Sequence, residues 1–398
     1  MTYSRHFASF TQCRVVDQQQ GERNFHCFYQ MLSVLKSEKY ADLFSDIRLA
    51  DADIDSYYYL CGSSGHDVQD ASNFDMVFQS MLAIGFEWEQ IRCIYKVLAA
   101  ILSLGNIHFD EKNDDEFGDN DHYENFVIDP ESLDEFCRLL SLDCNHALLT
   151  LCSRLICTPN DFVRKNYDQT QAIQSRDALA KLLYRNLFGY ILKLINERLI
   201  MQKERVVADD DRPLQINTIG ILDIYGFEVL AKTNGTNGFE QFLINYSNEK
   251  LHQLFIDCYL KKEQSLYEKE DICWTKINID NHDDICQVYH DIFLILDDIC
   301  TTGNNQQQDD SVFLKYLNQH FQHNDPHFKI QLDDFGFLIN HFDGRVLYGA
   351  DGFVEKNLDQ LYYDHLELMQ TTTDPLMQSK SQKINQSRPI KCSFFSSI

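Results

Sequence analysis

The sequence predicts a chain of the α/β class in which helices predominate. Three observations support this prediction. The apolar run at 219–222 ends at Asp223, which is typical of a buried strand that stops at a site. Apolar residues recur at helical spacing along several long segments, and 337–357 alternates like a hairpin around Asp343 and Gly344. With 398 residues, of which 44% are hydrophobic, the chain can bury a large core, expected as two or three subdomains.

Apolar periodicity predicts most of the individual helices. The first are expected at 25–32 and 73–81, followed by a longer one at 88–104. A single helix is predicted over 130–152, because its leucines and phenylalanine keep the same spacing. A further long helix carries leucines and an isoleucine along one face at 179–194. These segments place much of the N-terminal half in helices.

The segment 218–228, TIGILDIYGFE, carries the strongest functional signal. In a sheet that binds a nucleoside triphosphate, the end of a buried strand holds an aspartate beside Mg²⁺ and a glycine whose N–H faces the terminal phosphate. Asp223 and Gly226 have this spacing. The pattern alone is not specific, because many buried strands end in Asp-x-x-Gly. A strand end capped by a turn is therefore the alternative.

The residues that follow are much more specific. LDIYGFE at 222–228 precedes FEQFLINYSNEKLHQLF at 239–255, and together they resemble the switch II loop and relay helix of a myosin motor domain. CRVVDQQQGERNFHCFYQML at 13–32 resembles the family segment just after switch I. The resemblance extends from residue 13 to about residue 375 and is greatest to the class I group.

The resemblance implies a partial motor of the P-loop NTPase type with a definite order of regions. Residues 1–12 match nothing, and 13–215 resemble the helical upper 50 kDa subdomain, in which 57–62 corresponds to a short strand. Residues 216–375 would contain the switch II strand, the relay helix and the actin-binding lower 50 kDa subdomain. Residues 376–398 are rich in Ser, Gln and Lys and are expected to form a disordered tail.

The resemblance also gives three residues a role at the nucleotide. Asp223 would hold Mg²⁺ through water, the N–H of Gly226 would sense the γ-phosphate of ATP, and Glu228 would help to position the attacking water. In the family, Glu228 pairs with an arginine of switch I, which this sequence does not supply. A carboxylate left unpaired in a half-buried site is expected to take up a proton or to stay in water.

A relay helix is expected from residue 239 to about residue 259. Core packing alone explains an apolar face, and a stiff helix that begins at a phosphate-sensing loop can also transmit movement. The expected face consists of Phe242, Tyr246, Leu251, Leu254, Phe255 and Cys258. The resemblance implies five relay residues, which are Phe239, Glu240, Asn245, Glu249 and Trp274. Trp274 would lie in a loop that meets the converter.

Two segments resemble the family's contacts with actin. The family places an acidic or phosphorylatable residue sixteen positions before Asp177, which is Asp161 here, although an ordinary surface aspartate is the alternative. Residues 295–317 resemble the helix–loop–helix that meets the filament. Its loop is polar where the family carries apolar and proline residues, which lowers the expected affinity. The loop residues assigned to actin contact are Thr301, Thr302, Gly303 and Asn304.

Several motor motifs have no counterpart in the sequence. No G-x-x-x-x-G-K-[ST] phosphate-binding loop occurs, the switch I run does not precede Cys13, and the converter is not matched. An incomplete gene model or fragment is the preferred explanation, with a degenerate relative as the alternative. The parent protein is expected to couple hydrolysis of ATP with Mg²⁺ to movement on actin, whereas this chain alone is expected not to hydrolyse ATP. Whether it is an enzyme is left open, and a non-catalytic actin- or partner-binding fragment is the second hypothesis.

Composition bounds the expected partners and location. The net charge of −26 disfavours binding to nucleic acid or to an anionic membrane. Thirteen cysteines without a C-x-x-C pair indicate reduced, mostly structural thiols in the cytoplasm. The longest nearly apolar stretch, 97–104, is too short to cross a bilayer. The expected partners are actin filaments, together with the rest of the motor and calmodulin-like light chains in a parent protein of the actin cytoskeleton.

Overall fold

The computed structural model divides the chain into two compact units. The first comprises Met1–Thr218 and Asp359–Ile398, and the second comprises Ile219–Leu358. No helix in the described part of the chain combines the length and the apolar character needed to span a membrane. The predicted tail at 376–398 lies outside the described residues, which are 12–18, 21–49, 53–61, 67–111, 126–128, 130–157, 162–207, 219, 221–230, 237–277, 283–302, 309–321, 325–331, 335–357 and 363–372.

Helices form most of the described part of the first unit. Their bounds are α1 His26–Val34, α2 Asp70–Ile84, α3 Trp88–Gly105, α4 Pro130–Leu140, α5 Cys144–Cys152, α6 Gln169–Val207 and α12 Tyr363–Thr371. Helix α3 begins where the side chain of Gln90 accepts the N–H of Glu87 at 3.0 Å. Every residue of 97–105 is buried, so this end of α3 lies within the core rather than at its surface.

Strong apolar periodicity predicted these helices well. The helices expected at 25–32, 73–81, 88–104 and 179–194 are confirmed, although α2 and α6 extend beyond their predicted ends. Gly85 follows α2 in a left-handed conformation with φ of 98°, which glycine adopts without strain.

The single helix predicted over 130–152 is wrong, because two helices occupy this segment. The chain turns at Ser141, which has a φ of 54°, and the N–H of Leu142 bonds back to the carbonyl of Cys137 at 2.8 Å. Asp143 then starts α5 by accepting the N–H of His146 at 2.8 Å. Both helices keep their apolar faces inward, so the leucine spacing concealed the break.

The strand predicted at 57–62 is also wrong. Residues Tyr58–Leu60 form a 3₁₀ turn. The side chain of Asn106 accepts the N–H of Tyr58 at 2.9 Å and donates to the carbonyl of Ser56 at 2.8 Å. These bonds satisfy the backbone through a side chain, where a strand would need a paired neighbour.

Two short antiparallel strand pairs of the first unit were not predicted. Strand β1 Phe109–Glu111 pairs with β2 Phe126–Ile128, and β3 Ser153–Cys157 pairs with β4 Phe162–Asn166. Strands of three to five residues are too short to show a clear alternation of apolar and polar residues.

The cysteines whose side chains are described are free thiols. Burial raises the pKa of Cys27 and the pKa of Cys152 to about 12, so both keep their protons near neutral pH. A raised pKa disfavours the reactive thiolate, as expected for structural cysteines.

The second unit combines helices with one three-stranded antiparallel sheet. Its elements are α7 Phe239–Phe255, α8 Lys262–Lys269, α9 Asp283–Thr302, α10 Asp310–His320, β5 Phe328–Gln331, β6 Gly336–His341, β7 Gly344–Gly349 and α11 Phe353–Asn357. The strand order is β5-β6-β7. The predicted hairpin at 337–357 is confirmed, with Gly344 at a φ of 132° after its turn and α11 following. Strand β5 was not predicted.

Aromatic rings form the core of the second unit. The ring of Phe242 on α7 lies 4.5 Å from Tyr289 and 5.3 Å from Phe293 on α9, measured between ring centroids. The same ring lies 5.8 Å from Phe337 on β6 and 5.4 Å from Tyr348 on β7. The start of α7 is therefore held between a helix and the sheet.

A substitution at Gly105, the last residue of α3, tests the packing of the first unit. A Cβ atom at this position would lie 2.5 Å and 2.7 Å from two ring carbons of the buried Tyr59. The ring would have to move, which would disturb the 2.7 Å bond from its hydroxyl to Asp177. We expect Gly105→Ala to lower the free energy of unfolding by about 1–3 kcal/mol in chemical denaturation.

The matched control is Gly189→Ala on α6, where nothing lies within 4 Å of the added Cβ. This substitution should raise the stability by up to about 1 kcal/mol, because alanine favours the helix. Equal stability of the Gly105→Ala variant and the parent would contradict the described packing.

Candidate functional site

The segment 221–230 is not a strand, which corrects the buried strand predicted at 219–222. Ile219 is 91% exposed, Ile221 83% and Leu222 64%. A strand needs a neighbour that satisfies its backbone N–H and C=O groups, and no strand within the described ranges pairs with this segment. An apolar run indicates that a segment can be buried, but it does not reveal whether a partner surface is present.

Asp223 and Gly226 are both exposed. A Cβ atom at Gly226 would meet nothing within 4 Å, so no close approach requires glycine there. No group of three or more potential metal ligands occurs among the described residues. In the described segment 221–230, Asp223 carries an exposed carboxylate and Glu228 a half-buried one. Two carboxylates without a phosphate-binding loop do not by themselves fit Mg²⁺ with ATP.

Glu228 is held by the side-chain amide of Asn245 on α7. The N–H of Glu228 donates to Oδ1 of Asn245 at 2.8 Å, and Nδ2 of Asn245 donates to the carbonyl of Glu228, also at 2.8 Å. Asn245 is fully buried and Glu228 is half-buried, so water competes little for either bond. This pair of bonds, which we call the Asn245 clamp, fixes the segment to the helix.

Other polar side chains of the second unit bond to the backbone of residues close to Glu228. Asn248 donates to the carbonyl of Tyr225 at 3.1 Å, and Asn237 accepts the N–H of Leu230 at 2.7 Å. The half-buried carboxylate of Glu228 accepts a hydrogen bond of 3.4 Å from Gln241. An uncharged amide therefore contacts the carboxylate that was expected to have no partner.

Helix α7 agrees with the predicted relay helix at its start and differs towards its end. Gln241 accepts the N–H of Gly238 at 3.1 Å and so caps the helix. The apolar face is buried at Phe242 and Tyr246, as predicted, but Leu254 and Phe255 are more than half exposed and Cys258 is exposed. A π-helical turn, Ile256–Lys261, continues the helix into α8.

A model of the myosin head (motor domain) matches residues 9–393. The chain belongs to the myosin head family. It is 36% identical to mouse unconventional myosin-Ia over 387 residues, which cover 92% of this chain and 34% of that protein. It is 36% identical to human unconventional myosin-Ib over 398 residues, covering 94% and 33%. It is 34% identical to bovine unconventional myosin-Id over 379 residues, covering 92% and 35%. The chain spans about a third of the length of these curated relatives.

The family predicted from the motifs, and its likeness to class I myosins, are thereby confirmed. In fold terms this member of the myosin head family is mostly helical with small antiparallel sheets. The roles assigned to Asp223, Gly226 and Glu228 stay predictions.

The predicted relay residues occupy different environments in this myosin head chain. Phe239 is buried against Phe353, with 5.2 Å between ring centroids, and Glu240 pairs with Lys356 at 2.8 Å. Asn245 and Glu249 lie on the buried face of α7. Trp274 follows α8 and packs edge-on against Tyr267 at 5.8 Å.

The predicted actin-contact residues are only partly described. Thr301 and Thr302 are the last residues of α9, and α10 begins at Asp310, so both helices of the predicted helix–loop–helix are present. Gly303, Asn304 and Asp161 lie outside the described residues.

Sequence reasoning missed His341 and Tyr348 as parts of this site. The hairpin β6–β7 was predicted, but alternation shows only which residues share a face. The hydroxyl of Tyr348 lies 2.8 Å from Nδ2 of Asn245, and Nδ1 of His341 lies 2.8 Å from Glu249. These pairs are separated by 103 and 92 residues, so no local pattern could have indicated them.

Asn245→Leu tests the clamp. The variant removes both hydrogen bonds to Glu228 while keeping a side chain of similar size. We expect hydrogen–deuterium exchange of peptides spanning 224–230 to become faster by about tenfold to a hundredfold. Asn248→Ala removes the bond to Tyr225 and should have a smaller effect. Exchange as slow as in the parent would show that the clamp does not hold this segment.

Proposed function

We propose that this chain provides the filament-binding and movement-transmitting part of a myosin motor. The parent protein would move on actin by hydrolysing ATP with Mg²⁺, in the cytoplasm at the actin cytoskeleton. The chain alone would not hydrolyse ATP, because its sequence contains no G-x-x-x-x-G-K-[ST] loop to hold the phosphates.

The Asn245 clamp is the observation that carries this proposal. In the proposed motor, 223–228 is the switch II segment, which responds to the terminal phosphate. The clamp joins this segment to α7 through two bonds of 2.8 Å. A displacement of Glu228 would therefore act directly on the start of the relay helix.

Filament binding is assigned to the helix–loop–helix formed by α9 and α10. Phe313, Leu314 and Leu317 bury one face of α10 in the second unit. Asp310 accepts the N–H groups of Gly352 at 2.7 Å and of Val354 at 2.9 Å, which fixes the start of α10 against α11. Rigid helices on both sides of the loop would present it to a partner. Weak affinity is expected, because the loop is polar and the net charge is −26.

A non-catalytic module that binds actin or another partner is the second candidate. No group of three or more potential metal ligands occurs among the described residues, which favours binding without hydrolysis. On this hypothesis the clamp would serve stability alone, and nucleotide would have no influence on binding.

Cosedimentation with actin filaments and a parallel Mg-ATPase assay test the proposal on the full chain. We expect weak pelleting with filaments and no hydrolysis above a protein-free blank. Pelleting that is the same with and without ATP would support the non-catalytic module. Asp223→Ala is the matched control and should pellet like the parent, because Asp223 is assigned to the metal and not to the filament.

Three results would contradict parts of this account. A lack of pelleting at any filament concentration would remove the assigned filament contact. Hydrolysis that the Asp223→Ala substitution abolishes would show that the chain is a complete catalyst. Release from filaments by ATP would exclude the non-catalytic module and would show that nucleotide binds without the phosphate-binding motif.

A further inference from the structure

A chain of buried polar groups runs from Asn245 into the sheet of the second unit. Besides its bond to Glu228, Nδ2 of Asn245 donates to the hydroxyl of Tyr348 at 2.8 Å. This hydroxyl lies 2.9 Å from Nε2 of His341, and Nδ1 of His341 lies 2.8 Å from Oε1 of Glu249. The clamp is therefore one end of a longer series of hydrogen bonds.

These groups are removed from water. Asn245 and Tyr348 are 0% exposed, Glu249 1% and His341 8%. The N–H of Phe342 gives Oε1 of Glu249 a second hydrogen bond, at 3.1 Å. Buried polar groups without partners would cost free energy, so each bond in the series is sensitive to the loss of its neighbour.

The direction of the series follows from the chemistry of its members. Glu228 presents an N–H that can only donate and a carbonyl that can only accept, so the Asn245 amide has one permitted orientation. The oxygen of Tyr348 accepts from Nδ2 of Asn245. In the tautomer of His341 that carries its proton on Nδ1, the Tyr348 hydroxyl donates to Nε2 and Nδ1 donates to Glu249. Burial raises the pKa of Tyr348 above its ordinary value, so the hydroxyl keeps its proton.

We propose that Tyr348, His341 and Glu249 are positioning residues that hold the Asn245 amide in the orientation required to clamp Glu228. The inference rests on the proposed function only for the role of Glu228 in a nucleotide-responsive segment. The hydrogen-bonded series itself belongs to the chain as it stands.

The series of hydrogen bonds begins and ends on the same helix, α7. Asn245 and Glu249 lie four residues apart on the buried face of α7, whereas Tyr348 belongs to β7 and His341 to β6. Glu228 is thus bonded to a circuit that includes both α7 and the hairpin. A force on Glu228 is shared between the helix and the sheet, and neither can shift alone without breaking a bond of the circuit.

Hydrogen–deuterium exchange of peptides spanning 224–230 tests this role in the full chain. Tyr348→Phe removes the hydroxyl and keeps the ring, which stacks on Phe337 at 5.7 Å. Glu249→Leu removes the acceptor at the other end of the series. Each should make exchange in 224–230 faster by about three- to tenfold. The double variant should be no faster than the faster single variant, because both substitutions break one series.

Two further variants separate positioning from general stability. Glu249→Gln keeps an oxygen that can accept from His341 and from Phe342, so exchange should return close to the parent rate. Tyr59→Phe removes a buried tyrosine hydroxyl of the first unit, which donates to Asp177 at 2.7 Å. This control should leave exchange in 224–230 unchanged.

Parent-like exchange in both Tyr348→Phe and Glu249→Leu would overturn the proposal. It would also be overturned by additive effects in the double variant, or by an equal rise in exchange throughout β5, β6 and β7. The assay contains neither actin nor nucleotide. A result against the positioning role would therefore not bear on the proposed filament binding. A lack of filament binding would likewise not bear on the exchange result.

Discussion

The second unit depends on one buried amide that has to satisfy a backbone donor and a backbone acceptor at once. The oxygen of Asn245 faces the N–H of Glu228 and its nitrogen faces the carbonyl of the same residue. Turning the amide over would place donor against donor and acceptor against acceptor around a fully buried side chain. The position of Glu228 relative to α7 is fixed by this requirement, and apolar contact alone would not set it so closely.

Helix α7 is packed tightly near its start and is more exposed towards its end. Aromatic rings of α9, β6 and β7 enclose the ring of Phe242 near the start of the helix. Beyond the buried Glu249, Leu254 is 57% exposed and Phe255 51%. The π-helical turn at Ile256–Lys261 lies beyond the anchored part. In the proposed motor, motion imposed at Glu228 would be carried by the packed half of α7 towards this less constrained end.

The sequence predicted those features that depend on nearby residues. The helix expected at 88–104 and the hairpin around Asp343 were recovered because their periodicity is strong and their turns are local. The motifs at 222–228 and 239–255 identified the family correctly. Of the candidate site, the motifs indicated Glu228, Asn245 and Glu249 but not the residues to which each is bonded.

Features that depend on distant partners could not be predicted. The apolar run at 219–222 is chemically suited to a buried strand, yet burial also requires neighbouring strands, and Ile219 is 91% exposed. The break at Ser141 was concealed because α4 and α5 bury apolar faces of the same character. His341 and Tyr348 reach the site only through the fold of the sheet, since nothing in their local sequence distinguishes them from other core residues.

The exchange of the two side-chain amide protons of Asn245 tests the central claim most directly. In protein labelled with ¹⁵N-asparagine, the loss of one signal pair in the Asn245→Asp variant would assign this residue. Both protons should exchange far more slowly than those of exposed asparagines, because one is bonded to the Glu228 carbonyl and the other to the Tyr348 hydroxyl. Exchange as fast as at exposed asparagines would show that the amide clamps neither group.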